Sequence, residues 1–145
     1  MPQATYQDAD LIMKLYDMRR EERLRTARAW FATSVYVTSA AEVMEKFPPG
    51  SDQNAYFRMV LGYWEMAASF LVRGVVHEEL FFENSNEMLA VWERSKAFVT
   101  DVRKMRNNPL FFTNLEKGSL KLIEWMNTNA PGAYEGLLTM IKPKK

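Results

Sequence analysis

The sequence predicts an all-α protein that folds as a single domain over residues 1–145, with five or six helices packed around one apolar central helix at about residues 52–73. Strong helix formers such as Ala, Leu, Glu and Met are abundant, whereas Gly and Pro contribute six residues each. No run of alternating apolar and polar residues is long enough for a strand. Apolar residues make up 48% of the chain, so we expect a packed core, with frayed tails at residues 1–7 and 142–145.

The first predicted helix covers about residues 9–32 and begins at a cap formed by Asp8 or Asp10. Apolar residues then recur at helical spacing, starting with Leu11 and Leu15. The helix should break within residues 32–39, because that segment is rich in β-branched and small polar residues.

A short second helix is predicted from Ser39 through Lys46, since Ser39 and Glu42 have the spacing of a capping box. The sequence Pro48-Pro49-Gly50 ends it, because proline lacks the amide donor that a continuing helix needs.

The third predicted helix begins at a cap formed by Ser51 or Asp52 and ends at Gly74. It is apolar on almost every side, so the other helices should cover it. Its polar residues form one narrow strip: Arg58, Gly62, Glu65, Ser69 and Arg73.

Three further helices follow a short connector over residues 75–82. The fourth begins near a cap within residues 84–87 and closes at Asn107-Asn108-Pro109. The fifth extends from Pro109 to about Met126, because proline fits the first turn of a helix. A last short helix covers residues 133–141 and precedes a basic tail.

Composition excludes several kinds of site. The chain has no Cys and one His, so it can form no disulfide, thiolate metal site or site with two imidazoles. His77-Glu78-Glu79 lacks the second His of a zinc-protease helix, because position 81 is Phe. The six glycines are scattered and form no phosphate loop. We therefore predict no catalytic residue, no cofactor and no metal.

Two clusters of opposite charge are candidates for interaction. The arginine cluster lies in the first helix and comprises Arg19, Arg20, Arg23, Arg25 and Arg28. The acidic segment has no intervening basic residue and comprises Glu78, Glu79, Glu83 and Glu87. The arginines wrap around the helix, which does not favour a nucleic-acid site. We predict that the two clusters pair within or between chains, with Arg19, Arg20, Arg23, Glu78, Glu79 and Glu83 as candidate interaction residues.

Glu65 is the charged residue in the middle of the most apolar helix, where an unpaired carboxylate would be expensive to desolvate. We expect it to be at least partly buried and bonded to an Arg, Trp or Tyr donor from another helix. Arg58, two turns earlier on the same helix, is too far for an ideal i, i+4 contact but is kept as a candidate for a buried polar pair with it.

Several segments carry a resemblance to a known family. They are residues 54–60, 63–69, 87–89, 91–93 and 114–116, together with Tyr16, Arg19 and Arg103. Over about residues 8–126 the chain resembles an uncharacterised bacterial family of small all-helical domains of unknown function. The resemblance implies a helical fold and assigns no activity, so no functional residues are carried over.

The sequence leaves three classes of function open. A helical protein-interaction or assembly module without catalytic activity comes first, because opposite local charges and surplus aromatic residues are typical of interfaces. A small-ligand-binding domain with an aromatic and Met-lined pocket between helices is the alternative. An enzyme would need a pocket in which Glu65 or another carboxylate faces a second titratable group.

The expected location is cytoplasmic. No segment is apolar enough to span a membrane, and the N-terminus has no recognisable secretory signal. A protein partner or self-association is expected, and binding to nucleic acid is not.

Overall fold

In the computed structural model, which describes residues 2–142, the chain is all-α and these residues contain no strand. Eight helices follow in order: α1 Tyr6–Arg19, α2 Glu22–Ser34, α3 Ala40–Lys46, α4 Asp52–Val72, α5 Glu78–Glu83, α6 Asn86–Met105, α7 Thr113–Asn129 and α8 Ala133–Ile141. The predicted all-α class is confirmed, and the described part of the chain has eight helices where the sequence suggested five or six. The sequence predicted frayed tails at residues 1–7 and 142–145, of which Met1 and residues 143–145 lie outside the described residues. Helix α1 begins at Tyr6, which is within the predicted N-terminal tail.

The first predicted helix, residues 9–32, is in fact two helices. Thr5 starts α1 with a capping box that pairs it with Asp8. The carboxylate of Glu21 then accepts the backbone amides of Arg23 and Leu24 at 3.0 and 2.9 Å. By satisfying these amides it begins α2, and the chain turns between the two helices.

Of the two hydrogen bonds that define the predicted capping box of α3, one is present. Ser39 Oγ accepts the Glu42 amide at 3.1 Å, as a helix cap should. The Glu42 carboxylate, however, accepts the hydroxyl and amide of Thr38 at 2.7 and 2.9 Å in place of the Ser39 amide. The side chain therefore fixes the extended residues before α3 as well as its first turn.

Helix α4 packs against α2, α6 and α7, and most of its apolar side chains are buried. It packs against α7 at Gly118, where an added Cβ would lie 3.2 Å from the Cβ of Ala68 and 3.4 Å from Leu71 and Met88 atoms. Glycine thus lets α7 pack closely on α4, since a larger residue at this position would require its neighbours to shift.

Helix α7 begins later than the sequence suggested, at Thr113 rather than Pro109. Asn107 and Phe112 both have left-handed φ angles, 50° and 52°, which a continuous α-helix excludes. The segment between them forms turns, held in part by the Asn108 side chain, which accepts the Leu110 amide at 3.0 Å. The final helix, by contrast, has the predicted bounds.

Candidate functional site

A partly buried polar cluster joins α2, α4 and α6. Arg28 donates from Nε to Glu87 Oε2 at 2.9 Å and from Nη2 to Oε1 at 3.0 Å, which is a bidentate ion pair. The indole Nε1 of Trp64 donates to the same Glu87 Oε2 at 2.8 Å. The Glu87 carboxylate is therefore fully engaged, and its charge is neutralised by Arg28.

Arg19 extends this cluster to α1. Its guanidinium donates to the hydroxyl of Tyr63 at 2.9 Å and stacks 5.1 Å from the ring centroid of Trp64. The Tyr63 hydroxyl donates in turn to the Leu15 carbonyl at 2.6 Å, and burial raises the pKa of this tyrosine. Arg28 also donates to the Arg19 carbonyl at 3.1 Å, so the cluster fastens both helices on either side of the α1–α2 turn to α4.

The candidate interaction residues are not all at the surface. Arg19 is buried, whereas Arg20 and Arg23 are exposed, with guanidiniums 5.8 Å from the Tyr16 ring and 6.0 Å from the Tyr56 ring.

On the acidic side, Glu78 lies 3.6 Å from Lys121, while Glu79 and Glu83 are exposed and form no salt bridge within residues 2–142. In that part of the chain the arginine cluster and the acidic segment meet through the pair of Arg28 and Glu87.

Glu65 is half-buried and bonds to α7, not to Arg58. Oε1 accepts the Leu115 amide at 2.8 Å, and Oε2 accepts the Asn114 side-chain amide at 2.9 Å. Arg58 is exposed and forms no ion pair with Glu65. The donors are thus the first turn of a helix and an Asn, where the sequence suggested Arg, Trp or Tyr.

The sequence analysis did not identify Glu93 on α6, a second carboxylate that binds side chains within the fold. It is 5% exposed, and its carboxylate accepts the Tyr134 hydroxyl of α8 at 2.5 Å and pairs with Lys96 at 2.7 Å. Burial and the neighbouring Glu93 raise the pKa of Tyr134. Lys96, three residues after Glu93, was the available signal for an ion pair, but nothing in the local pattern indicated Tyr134.

An apolar cavity of about 250 Å³ lies between α2, α6 and α8. Its lining comprises Arg28, Phe31, Ala32, Val60, Glu87, Ala90, Val91, Arg94, Leu137, Met140 and Ile141. It adjoins a wider groove of about 580 Å³, with which it shares Ala32, Arg94, Met140 and Ile141. The groove is lined by polar and cationic side chains as well, among them Tyr36, Lys46 and Lys142.

One side of helix α1 carries three large exposed side chains, interspersed with the exposed charges of Asp10, Asp17 and Arg20. Tyr6, Met13 and Tyr16 are 95%, 70% and 55% exposed. Their spacing of seven and three residues places them on one side of the helix, away from buried Leu15. We refer to these three residues as the exposed α1 face.

Residues 2–142 contain neither a metal-binding cluster nor a membrane-spanning helix. These residues contain no group of three or more His, Cys, Asp and Glu side chains placed to hold a metal ion. The single histidine, His77, accepts the Leu80 amide at 3.2 Å and caps α5. No helix in this part of the chain is long and apolar enough to cross a membrane.

Comparison with known proteins gives one family. A family model described as a domain of unknown function, DUF4760, matches residues 4–118, which contain α1 to α6 and the start of α7. No curated protein and no solved structure matches the chain significantly. The match confirms the resemblance to a family of helical domains of unknown function.

Proposed function

The chain belongs to the DUF4760 family of domains of unknown function, and we propose that it is a helical protein-interaction or assembly module without catalytic activity. The exposed α1 face carries this proposal. Three large exposed side chains share one helix face, and large side chains grouped on one face are what a helix uses to dock onto a partner.

The partner we propose is a second copy of the chain, because the two ends of α1 carry opposite charges. Asp10 lies near its first turns, where the exposed Lys14 pairs with it at 3.2 Å. The Asp8 carboxylate accepts the His77 amide at 2.8 Å, which places the start of acidic α5 beside this end. At the other end, Arg20 is exposed directly after α1 and Arg23 is exposed in the first turn of α2, with the exposed acids Asp17, Glu21 and Glu22 beside them. An antiparallel pairing of two α1 helices about a twofold axis brings each acidic end to the basic end of the other copy.

The size of this surface implies a weak dimer. A helix of 14 residues is about 21 Å long, so its face buries less area than a standard stable interface. We therefore expect reversible association that depends on protein concentration and on salt.

Helix α4 and the polar cluster support this arrangement by fixing α1. In the proposal α4 is the central apolar helix, and the contacts of Arg19 with Tyr63 and Trp64 hold α1 against it. These contacts hold the inner face of α1 against α4, and its exposed outer face is the one proposed to meet the partner.

Sedimentation velocity over a range of about 10 µM to 1 mM tests the proposal. The parent should shift from the 16.9 kDa monomer toward the dimer as its concentration rises. Met13→Glu should stay monomeric over that range. Met105→Glu is the matched control, since Met105 is 73% exposed but lies on α6 and should leave association unchanged. A parent that is monomeric throughout would overturn the proposal.

Charge reversal tests the antiparallel geometry. Asp10→Arg and Arg20→Asp should each weaken the dimer, and combining them in one chain should restore it, because each copy then again presents opposite charges at its two ends. If the double variant associates no better than the single variants, the twofold antiparallel arrangement is wrong.

The alternative function, small-ligand binding, is supported by a different observation: the apolar cavity between α2, α6 and α8. A thermal-shift screen against small metabolites separates the two, since stabilisation of a monomer by one compound favours ligand binding.

A further inference from the structure

We infer that the cavity and the groove together form a binding site for one amphipathic organic anion, with its apolar tail in the cavity and its anionic head at Arg94 and Lys142 in the groove. This inference deepens the ligand-binding alternative and does not depend on the exposed α1 face.

The cavity is suited to an alkyl or acyl tail. Its walls are side chains of the core, including Phe31, Val60 and Val91, together with Leu137 and Ile141 of α8. A volume of about 250 Å³ is roughly eight times the ~30 Å³ that a water molecule occupies in the liquid, and a methylene group is of similar size. A tail of about eight to ten carbons therefore matches the cavity.

Arg94 is placed to bind the head group because it lines both the cavity and the groove. It is half-buried, and Nη1 donates to the Val35 carbonyl at 2.8 Å, which orients the guanidinium. Within residues 2–142, Nε and Nη2 donate to no protein acceptor. Burial lowers the pKa of Arg94, but a guanidinium remains protonated at neutral pH, so a desolvated cation with free donors faces the groove.

The charges around the site favour an anion. Lys142 lines the groove and is exposed, while Lys46 is there already paired with Glu42 at 2.9 Å. Glu87 is the one carboxylate among the described lining residues, and Arg28 neutralises it. An anionic head thus gains charge-assisted hydrogen bonds, whereas a cationic head would face Arg94 and Lys142.

Isothermal titration with simple amphiphiles as monomers tests this assignment. We expect decanoate to bind with one-to-one stoichiometry, and decanol and decyltrimethylammonium to bind at least about tenfold more weakly, since they lack the anionic head. Butyrate should show no measurable binding, because its tail is too short to fill the cavity.

Variants locate the site. Ala90→Phe should fill the cavity and abolish decanoate binding while the protein remains folded by circular dichroism. Arg94→Gln and Lys142→Gln should each weaken binding several-fold; Lys142 is exposed, so the second variant informs even if the first fails to fold. Lys117→Gln removes an exposed lysine of α7 outside the lining and should bind like the parent.

Three results would overturn the inference: equal binding of decanoate and decanol, unchanged binding by Ala90→Phe, or binding to anionic phosphatidylglycerol vesicles without binding of monomeric decanoate. The last would indicate a membrane surface instead of a single-molecule site. Ala90→Phe should leave the sedimentation behaviour unchanged, so failure of this site and failure of the α1 interface can be told apart.

Discussion

The carboxylate of Glu65 on α4 accepts the backbone amide of Leu115 at 2.8 Å and thereby caps a different helix, α7. The first amides of a helix have no partner within it, and Phe112, at the N-cap position of α7, supplies no side-chain cap. One side chain thus satisfies the start of α7 and fixes its position against α4.

Glu65→Ala should therefore destabilise the protein by about 0.5–2 kcal/mol, the usual range for loss of a helix cap. Glu65→Gln should be less destabilising, because its amide oxygen can still accept the Leu115 amide. Urea unfolding followed by circular dichroism measures both. Glu124→Ala, which removes an exposed carboxylate of α7, is the control. Equal midpoints for the Glu65→Ala variant and the parent would contradict the capping role.

The bidentate pair of Arg28 and Glu87 should show energetic coupling. Each single substitution to Ala leaves one charged, half-buried partner behind, and Glu87→Ala also leaves the Trp64 indole without its acceptor. The two single variants should each lose about 1–3 kcal/mol, and the double variant should lose less than their sum. A double-mutant cycle of unfolding free energies measures the difference. Strict additivity would mean that the pair contributes nothing of its own.

The sequence predicts those parts of the fold that depend on neighbouring residues. Ser39 and Ser51 cap the helices that were expected to start there, and the turn at Pro48-Pro49-Gly50 lies between them. The division of the first helix was missed because Glu21 caps α2 with its own side chain, and glutamate is not among the residues that usually mark a helix start.

The candidate site depends on contacts between residues far apart in the chain, which no local pattern displays. The Arg28 pair with Glu87 spans 59 positions, and the Tyr134 bond to Glu93 spans 41. The opposite charges of the arginine cluster and the acidic segment indicated that the two would meet. They did not indicate which arginine would form the ion pair with Glu87. For the same reason the sequence indicated that Glu65 needs a partner but not that backbone amides would provide it.

Acid should destabilise the protein partly through Glu42. The Thr38 hydroxyl, then Lys46 and the Thr38 amide, lower the pKa of Glu42 from 4.5 to about 2. A lowered pKa in the folded state contributes stability above the unfolded value of 4.5, and this contribution is lost as the pH falls toward 2. Because the group is near the surface, we expect about 1 kcal/mol in total.

Urea unfolding between about pH 6 and pH 2.5 measures this loss, which Glu42→Gln should reduce. Thr38→Val removes the hydroxyl and should raise the pKa of Glu42 in an NMR titration of its carboxyl group. Glu45→Gln, an exposed glutamate of the same helix, is the matched control. An unchanged Glu42 pKa in Thr38→Val would contradict the assigned cause.

Tyr134→Phe should loosen α8, because the lost hydroxyl is the donor from α8 to the buried Glu93 carboxylate. Lys96 still pairs with Glu93 in the variant, so the charge stays compensated and we expect a loss of about 1–3 kcal/mol, the desolvation penalty of an unmade bond. Hydrogen exchange should show faster opening of residues 133–141, with α4 unchanged. Because Leu137 and Ile141 of this helix line the apolar cavity, the same variant should weaken decanoate binding. Unaltered protection of α8 would mean that its apolar contacts alone hold it in place.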